Sequence, residues 1–156
     1  MVMELSKDDA QTLRLAPLWV FSTLVGSHRR FRPLELEAFW RCMERASLDA
    51  SSVLVNDVLV SAISDRDRLL QEYAADTRPI ASGLTSVTDV LDRLPADDAQ
   101  AVKEMLVTQI AEGVARARGP FGQSISRDDA KALQLIAVLL EHDGDLSDPW
   151  DLLDPV

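Results

Sequence analysis

The apolar residues of this chain recur every three or four positions over most of its length, which is the spacing of one face of an α-helix. Leu36, Phe39, Trp40 and Met43 show the pattern most clearly. No segment alternates apolar and polar residues over the length of a strand, and the β-branched run at residues 53–60 fits a helical face better. The pattern predicts an all-α, compact bundle of about seven or eight helices with short connections.

Prolines and capping residues predict where these helices begin and end. Ser6 followed by Asp9 resembles a capping box, and Ser126 followed by Asp129 forms a second one. Pro17 predicts a break or kink that divides the first helical pattern into two, because proline removes a backbone donor. The remaining helices are predicted to begin at or next to Pro33, Val53, Asp65, Pro79 and Pro95.

Two segments about a hundred residues apart resemble each other. Residues 17–46 and 105–141 each contain an apolar helix, a loop, a large apolar residue, a short polar turn and a second helix. Phe31 in the first segment aligns with Ile125 in the second, and Glu35 aligns with Asp129. The similarity predicts a bundle built from two helix–loop–helix pseudo-repeats.

The length of 156 residues predicts one domain, at residues 1–142, followed by an acidic tail at residues 143–156. The tail contains five aspartates and two prolines and has no helical periodicity, so we expect a flexible or loosely docked arm. Trp150, Leu152 and Leu153 give the tail a short apolar segment with which to hold a surface.

The chain is acidic, with a net charge of −10. Such a charge repels phosphate backbones and therefore argues against broad nucleic-acid binding. The apolar run at residues 15–26 is shorter than the roughly 20 residues that cross a bilayer, and the acidic start does not resemble a signal peptide. These features predict a cytoplasmic protein that does not insert into a membrane.

No combination of residues indicates catalysis. Cys42 is the single cysteine and lies on a predicted helix between Trp40 and Met43, so we interpret it as a buried apolar thiol. The two histidines, His28 and His142, belong to different segments. The sequence contains no phosphate loop, zinc-ligand spacing or Ser/His/Asp arrangement, and adjacent carboxylates on a helix point about 100° apart. We therefore predict that the protein is not an enzyme.

The repeated helix–loop–helix, together with Trp19-Val20-Phe21 and Phe39-Trp40, resembles the TerB-like (tellurite-resistance) family and its relatives in DjlA-type co-chaperones. The resemblance extends from about residue 13 to residue 141. It implies a compact all-α fold whose acidic loops are associated with divalent-cation binding and with stress-response complexes at or near the membrane.

The family pattern is only partly present. Each family repeat has an Ala-Asp-Gly element, then a hydrophobic anchor, then a helix with a carboxylate four residues after the anchor. Phe31 and Ile125 match the anchor, and Glu35 and Asp129 match the carboxylate. The Asp-Gly element is missing from both repeats, and arginines stand in both loops.

Four carboxylates are candidate ligands of a divalent cation, the one cofactor that the sequence suggests. Glu35 and Asp129 follow from the resemblance, although each also fits the carboxylate that stabilises a helix N-terminus. Asp143 and Asp145 take positions 1 and 3 of an EF-hand-like count along the tail, in which Asp148 replaces the glycine of position 6. The alternative for this pair is an acidic, solvated terminus.

His28, Arg29, Arg30 and Arg32 form the only cluster of basic residues along the sequence. Clustered guanidinium groups predict an anchor for a phosphate group or for an acidic protein partner. The alternative is that these arginines pair with carboxylates of the domain itself. In the second repeat Arg116 and Arg118 take the equivalent place, so adjacent loops would form a larger basic patch.

We therefore predict a non-catalytic TerB-like interaction or scaffold protein, related to the stress (tellurite) response, that binds a protein partner. Two alternatives stay open. One is a divalent-cation-binding sensor of the same fold, and the other is a helical bundle that binds a small apolar ligand between its helices.

Overall fold

A computed structural model describes residues 5–25, 31–118 and 127–140. In these ranges the chain is helical with short connections and contains no strand. The predicted all-α fold is therefore confirmed.

Seven helices make up the described part of the chain. The first five are α1 (Lys7–Val25), α2 (Pro33–Asp49), α3 (Val53–Ser64), α4 (Arg66–Ala75) and α5 (Ile80–Asp92). The sixth, α6, consists of three consecutive parts, which are an α-helical part at Ala96–Glu104, a π-helical segment at Met105–Glu112 and an α-helical part at Gly113–Arg118. The last, α7, spans Arg127–Leu140.

Capping residues begin several helices close to the predicted positions. The hydroxyl of Ser6 accepts a hydrogen bond of 3.1 Å from the backbone N–H of Asp9, which is one of the two hydrogen bonds of the predicted capping box. Pro33 lies in the first turn of α2, and Ser52 accepts a hydrogen bond from the backbone N–H of Val55 at the start of α3. Ser126 of the second predicted capping box lies outside the described residues. Helix α7 begins at the next residue, Arg127.

The predicted break at Pro17 is wrong, because α1 continues without interruption from Lys7 to Val25. A proline inside a helix costs about 3 kcal/mol. Every residue from 15 to 22 is buried. Packing on all sides of α1 therefore compensates for the hydrogen bond that Pro17 removes.

Helix α1 forms the centre of the bundle. It packs against α3, α4, α5, the π-helical segment and α7. Its aromatic side chains extend the contacts, because Phe21 stacks on Phe39 of α2 with ring centres 4.8 Å apart and contacts Phe31 at 4.7 Å. The buried apolar residues form one continuous core cluster.

Trp19 packs directly on the backbone of α5. An ideal Cβ atom at Gly83 would lie 2.5 Å from both Cδ2 and Nε1 of Trp19, closer than atoms that are not bonded can approach. On another side the guanidinium of Arg78 lies 4.6 Å from the ring centre, and Asp76 fixes this guanidinium through a 2.7 Å ion pair. The absence of a side chain at Gly83 thus lets α1 and α5 approach each other.

A buried side-chain hydrogen bond joins two helices that are distant in the sequence. Ser22 of α1 and Tyr73 of α4 join their hydroxyl oxygens at 2.5 Å. A buried polar pair of this kind stabilises only when both partners are present, because a single remaining hydroxyl is desolvated without its compensation.

We expect Tyr73→Phe to lower the free energy of unfolding by about 1 kcal/mol, because Ser22 then loses a buried partner. Urea denaturation followed by circular dichroism measures this change. The double variant Ser22→Ala with Tyr73→Phe should recover part of the loss. If the two single effects simply add, the hydrogen bond makes no coupled contribution.

Three predictions about the overall organisation stay predictions. The pseudo-repeat is not confirmed by the arrangement of the helices. The predicted domain boundary at residue 142 and the tail at residues 143–156 lie outside the described residues.

Within the described ranges, none of the helices has both the length and the apolar character that are needed to cross a bilayer.

Candidate functional site

A groove of about 440 Å³ lies between α2 and the second half of α6. Its two walls belong to helices that pack along each other, since α2 contacts both the π-helical segment and the part of α6 that follows it. The lining residues are Ala38, Arg41, Cys42, Arg45, Ala46 and Asp49 from α2, and Thr108, Gln109, Gly113, Arg116 and Ala117 from α6. We call this set the α2–α6 groove.

Small residues form the floor of the α2–α6 groove. Ala38, Cys42 and Ala46 are spaced by four on α2 and therefore share one face of the helix. They oppose Gly113 and Ala117, which share a face of α6 in the same way. The approach is close, because an ideal Cβ at Gly113 would lie 3.0 Å from the sulfur of Cys42.

Arginines dominate the charge of the lining. Arg41, Arg45 and Arg116 are exposed, and Asp49 is the single acidic residue among the lining side chains. Arg41 pairs with Glu37, and Arg116 pairs with Glu112, each at 2.8 Å and one helical turn apart. Such exposed pairs contribute about 0.3–0.5 kcal/mol, so a better acceptor can displace them. Arg45 has no ion pair with any residue in the described ranges.

Cys42 is half-buried in the floor of the groove. Burial raises the pKa of its thiol, while the nearby charges of Arg45 and Arg41 act in the opposite direction and only partly offset the effect of burial. The thiol is thus protonated at neutral pH and is a weak nucleophile. The sequence interpretation of Cys42 as an apolar thiol fits this position, although the side chain is less buried than we expected.

The π-helical segment explains how α6 presents its polar residues to the groove. Three apolar pairs face the core, Met105-Leu106, Ile110-Ala111 and Val114-Ala115, and all six residues are buried. The first two pairs are five positions apart and the last two are four apart. An α-helix keeps a spacing of four on one face, and a π-turn keeps a spacing of five. The extra residue leaves Thr108 and Gln109 outside the core and on the groove.

Only one residue of the predicted basic cluster lies within the described residues. His28, Arg29 and Arg30 lie outside the described residues. Arg32 is exposed at the N-terminal end of α2 and does not line the groove. The role of this loop as an anion or partner site stays a prediction, and the arginines that the structure does bring together come from α2 and α6.

Two of the four candidate metal ligands lie within the described residues, one on α2 and one on α7. Glu35 is half-buried in the first turn of α2, and Asp129 is buried in the first turn of α7 with 5% of its surface exposed. Within residues 5–25, 31–118 and 127–140 no three His, Cys, Asp or Glu side chains are placed to share a metal ion. Asp143 and Asp145 lie outside these ranges, so cation binding by the tail stays a prediction.

Sequence reasoning missed the α2–α6 groove. The signals were the four-residue spacing of small residues on α2, the arginines that flank them, and the five-residue step between apolar pairs on α6. Each is a common feature of helices on its own. Only the packing of α2 against α6 makes them one site.

The comparisons with known proteins leave the family of this chain open. No protein-family model matches the chain, and neither a curated protein nor a solved structure matches it significantly. The resemblance to the TerB-like family therefore stays a prediction from the sequence, and the α2–α6 groove has to be interpreted from its own chemistry.

Proposed function

We propose that this chain is a non-catalytic interaction module whose α2–α6 groove binds an acidic segment of a partner protein. The observation that carries the proposal is the lining of the groove, in which three arginines surround a floor of small residues. In a chain with a net charge of −10, a local excess of arginine is a feature that a partner of opposite charge recognises.

The charge of the lining favours carboxylates as ligands. Guanidinium groups form paired hydrogen bonds with carboxylates, and Arg45 is free of ion pairs with other described residues. A bound carboxylate also competes with Glu37 and Glu112 for Arg41 and Arg116, at small cost because those pairs are exposed. The acidic remainder of the protein disfavours a long polyphosphate such as nucleic acid.

The floor of the groove favours a peptide over a small ion. Ala38, Ala46, Gly113 and Ala117 leave space for apolar side chains, and the volume of about 440 Å³ lies within the range of ligand pockets. A segment that combines carboxylates with one or two large apolar residues can pair with the arginines of the rim and fill the space above the floor. Aromatic anchors surrounded by polar contacts are typical of protein interfaces.

The chemistry of the lining also supports a role without catalysis. The thiol of Cys42 has a pKa that burial raises, so it is protonated at neutral pH, and no histidine stands beside it or Thr108 as a base among the described lining residues. Four expectations from the sequence stay predictions that no observation on the described residues favours. They are the TerB-like family, the cytoplasmic location, the cation sensor and the bundle that binds an apolar ligand.

Charge reversal in the groove tests the proposal. The probe is a fluorescein-labelled peptide that contains several aspartates, leucines and one tryptophan, and its binding to the full chain is measured by anisotropy. We expect Arg45→Glu with Arg116→Glu to weaken binding at least about tenfold, which corresponds to about 1.4 kcal/mol, because two attractive contacts become repulsive.

The matched control changes the net charge of the protein by the same amount at positions outside the groove. Arg68 on α4 and Arg127 on α7 are exposed and lie outside the groove, so Arg68→Glu with Arg127→Glu should leave the affinity within about twofold. A peptide with asparagine in place of each aspartate should bind weakly to every variant. Equal losses in the groove variant and in the control would show general attraction by net charge, and no loss in the groove variant would refute the proposal.

A further inference from the structure

We propose that the C-terminal segment of this chain, which consists of the acidic tail and the two residues before it (141–156), binds its own α2–α6 groove and competes there with the partner. This inference rests on the proposed function, because it assigns a regulator to the same site. It explains why a strongly acidic chain keeps an arginine-lined groove, since the complementary segment is part of the same molecule.

The composition of the tail matches the groove. Residues 141–156 contain six carboxylate side chains and no lysine or arginine, together with Trp150 and the leucines at 146, 152 and 153. The rim of the groove provides three guanidinium groups, and its floor provides small residues with space above them. Carboxylates that alternate with large apolar residues are the composition that the proposed function requires of a partner.

The length of the tail allows the contact. The last described helix ends at Leu140, and Thr88 of α5 donates a hydrogen bond of 3.1 Å to the carbonyl oxygen of Leu139, which fixes the point from which the tail starts. Sixteen residues follow, and an extended chain of that length reaches roughly 50 Å. A domain of this size has a radius of gyration of about 15 Å, so the groove lies within reach.

An attached ligand has a large advantage over a free one. A tethered segment is present at an effective concentration on the order of millimolar, which exceeds the concentration of most free partners. Exposed charge pairs are weak individually, so the tail would be displaced by a partner with better complementarity. A bound tail therefore raises the affinity or concentration that a partner needs in order to occupy the groove.

Cys42 reports on the contact without any added label. It is the only cysteine of the chain and it lines the floor of the groove, so a bound tail should shield its sulfur from a thiol reagent. The experiment measures the rate of Cys42 modification in the full chain, in a tail variant with every aspartate of residues 143–156 changed to asparagine, and in a charge-matched control. The control carries the same number of Asp→Asn changes at exposed positions outside the groove, which are Asp57, Asp67, Asp89, Asp92 and Asp97.

We expect the tail variant to react several times faster than the wild type and the charge-matched control to react at the wild-type rate. In 1 M NaCl, where charges are screened within about 3 Å, the wild type should approach the rate of the tail variant. The same variants are then tested with the labelled acidic peptide, which should bind the tail variant about ten times more tightly than the wild type. Circular dichroism confirms that each variant has the wild-type helix content.

The outcomes separate this inference from the proposed function. If the tail variant and the charge-matched control behave alike in either measurement, the tail does not occupy the groove. If the peptide still loses affinity on Arg45→Glu with Arg116→Glu in that case, the proposed function stands without the tail. If these two substitutions have no effect even in the tail variant, the groove does not bind acidic segments and both proposals are wrong.

Discussion

Gly83→Ala is expected to lower the free energy of unfolding by about 1–3 kcal/mol, the range for forcing extra atoms into a packed core. The new methyl group would lie 2.5 Å from two atoms of the Trp19 ring, and Trp19 has 1% of its surface exposed. The ring cannot move away easily, because Tyr73 packs edge-on against it with ring centres 6.2 Å apart and the guanidinium of Arg78 lies 4.6 Å from its centre. Urea denaturation followed by circular dichroism measures the loss, and the thermal midpoint should fall by about 3–10 °C.

The direction of this effect is informative because helix propensity predicts the opposite. Within an exposed helix, alanine in place of glycine stabilises by about 1 kcal/mol. Gly83 lies inside α5 and is buried, so the steric cost has to exceed that gain. A neutral or stabilising result would show that Trp19 and α5 can separate without loss.

Gly113→Ala is the matched control in a second helix. Its Cβ would meet the sulfur of Cys42 at 3.0 Å, a contact that a shift of a few tenths of an ångström relieves. We therefore expect a much smaller change than at Gly83. A rescue variant completes the test, because Trp19→Phe should cost less in the Gly83→Ala background than in the wild type. Additive costs would mean that the methyl group does not act through Trp19.

Local signals explain how much of the fold the sequence predicts. Ser6, Pro33 and Ser52 begin helices because capping depends on a few adjacent residues, and these starts are visible in the sequence alone. Pro17 shows the limit of that reasoning. Its local effect is to break a helix, but every residue of α1 from 15 to 22 is buried and tertiary packing keeps the helix continuous. The number of partners around α1 is not a property of any sequence window.

The candidate site depends on packing even more than the fold does. Arg41 and Arg45 are one turn apart on α2, whereas Arg116 lies more than seventy positions later in the sequence. The π-helical segment and the small residues at Cys42 and Gly113 bring these helices together. The sequence did show a basic cluster and an acidic tail, but it placed that cluster at residues 28–32 because that is where basic residues are adjacent in the chain.

Deletion of Thr108 is expected to convert the π-helical segment into α-helix while the protein stays folded. After the deletion, Met105-Leu106, Ile110-Ala111 and Val114-Ala115 are each separated by four positions, and successive pairs stay within about 40° of each other around the helix. All three pairs can therefore keep their place in the core. We expect cooperative unfolding in urea and a loss of less than about 3 kcal/mol, caused by adjustment of the polar wall of the groove.

Deletion of Glu112 is the matched control, because it also shortens α6 by one residue. It keeps the five-residue step and reduces the following step to three, so Ile110 and Ala111 would lie about 100° from the direction that the other pairs require. Ile110 is fully buried, and its side chain alone contributes about 1.5–3 kcal/mol by leaving water. The lost ion pair with Arg116 is exposed and contributes little. We expect this deletion to cost at least about 2 kcal/mol more than deletion of Thr108, and equal costs would show that the spacing of the apolar pairs does not determine the π-helical segment.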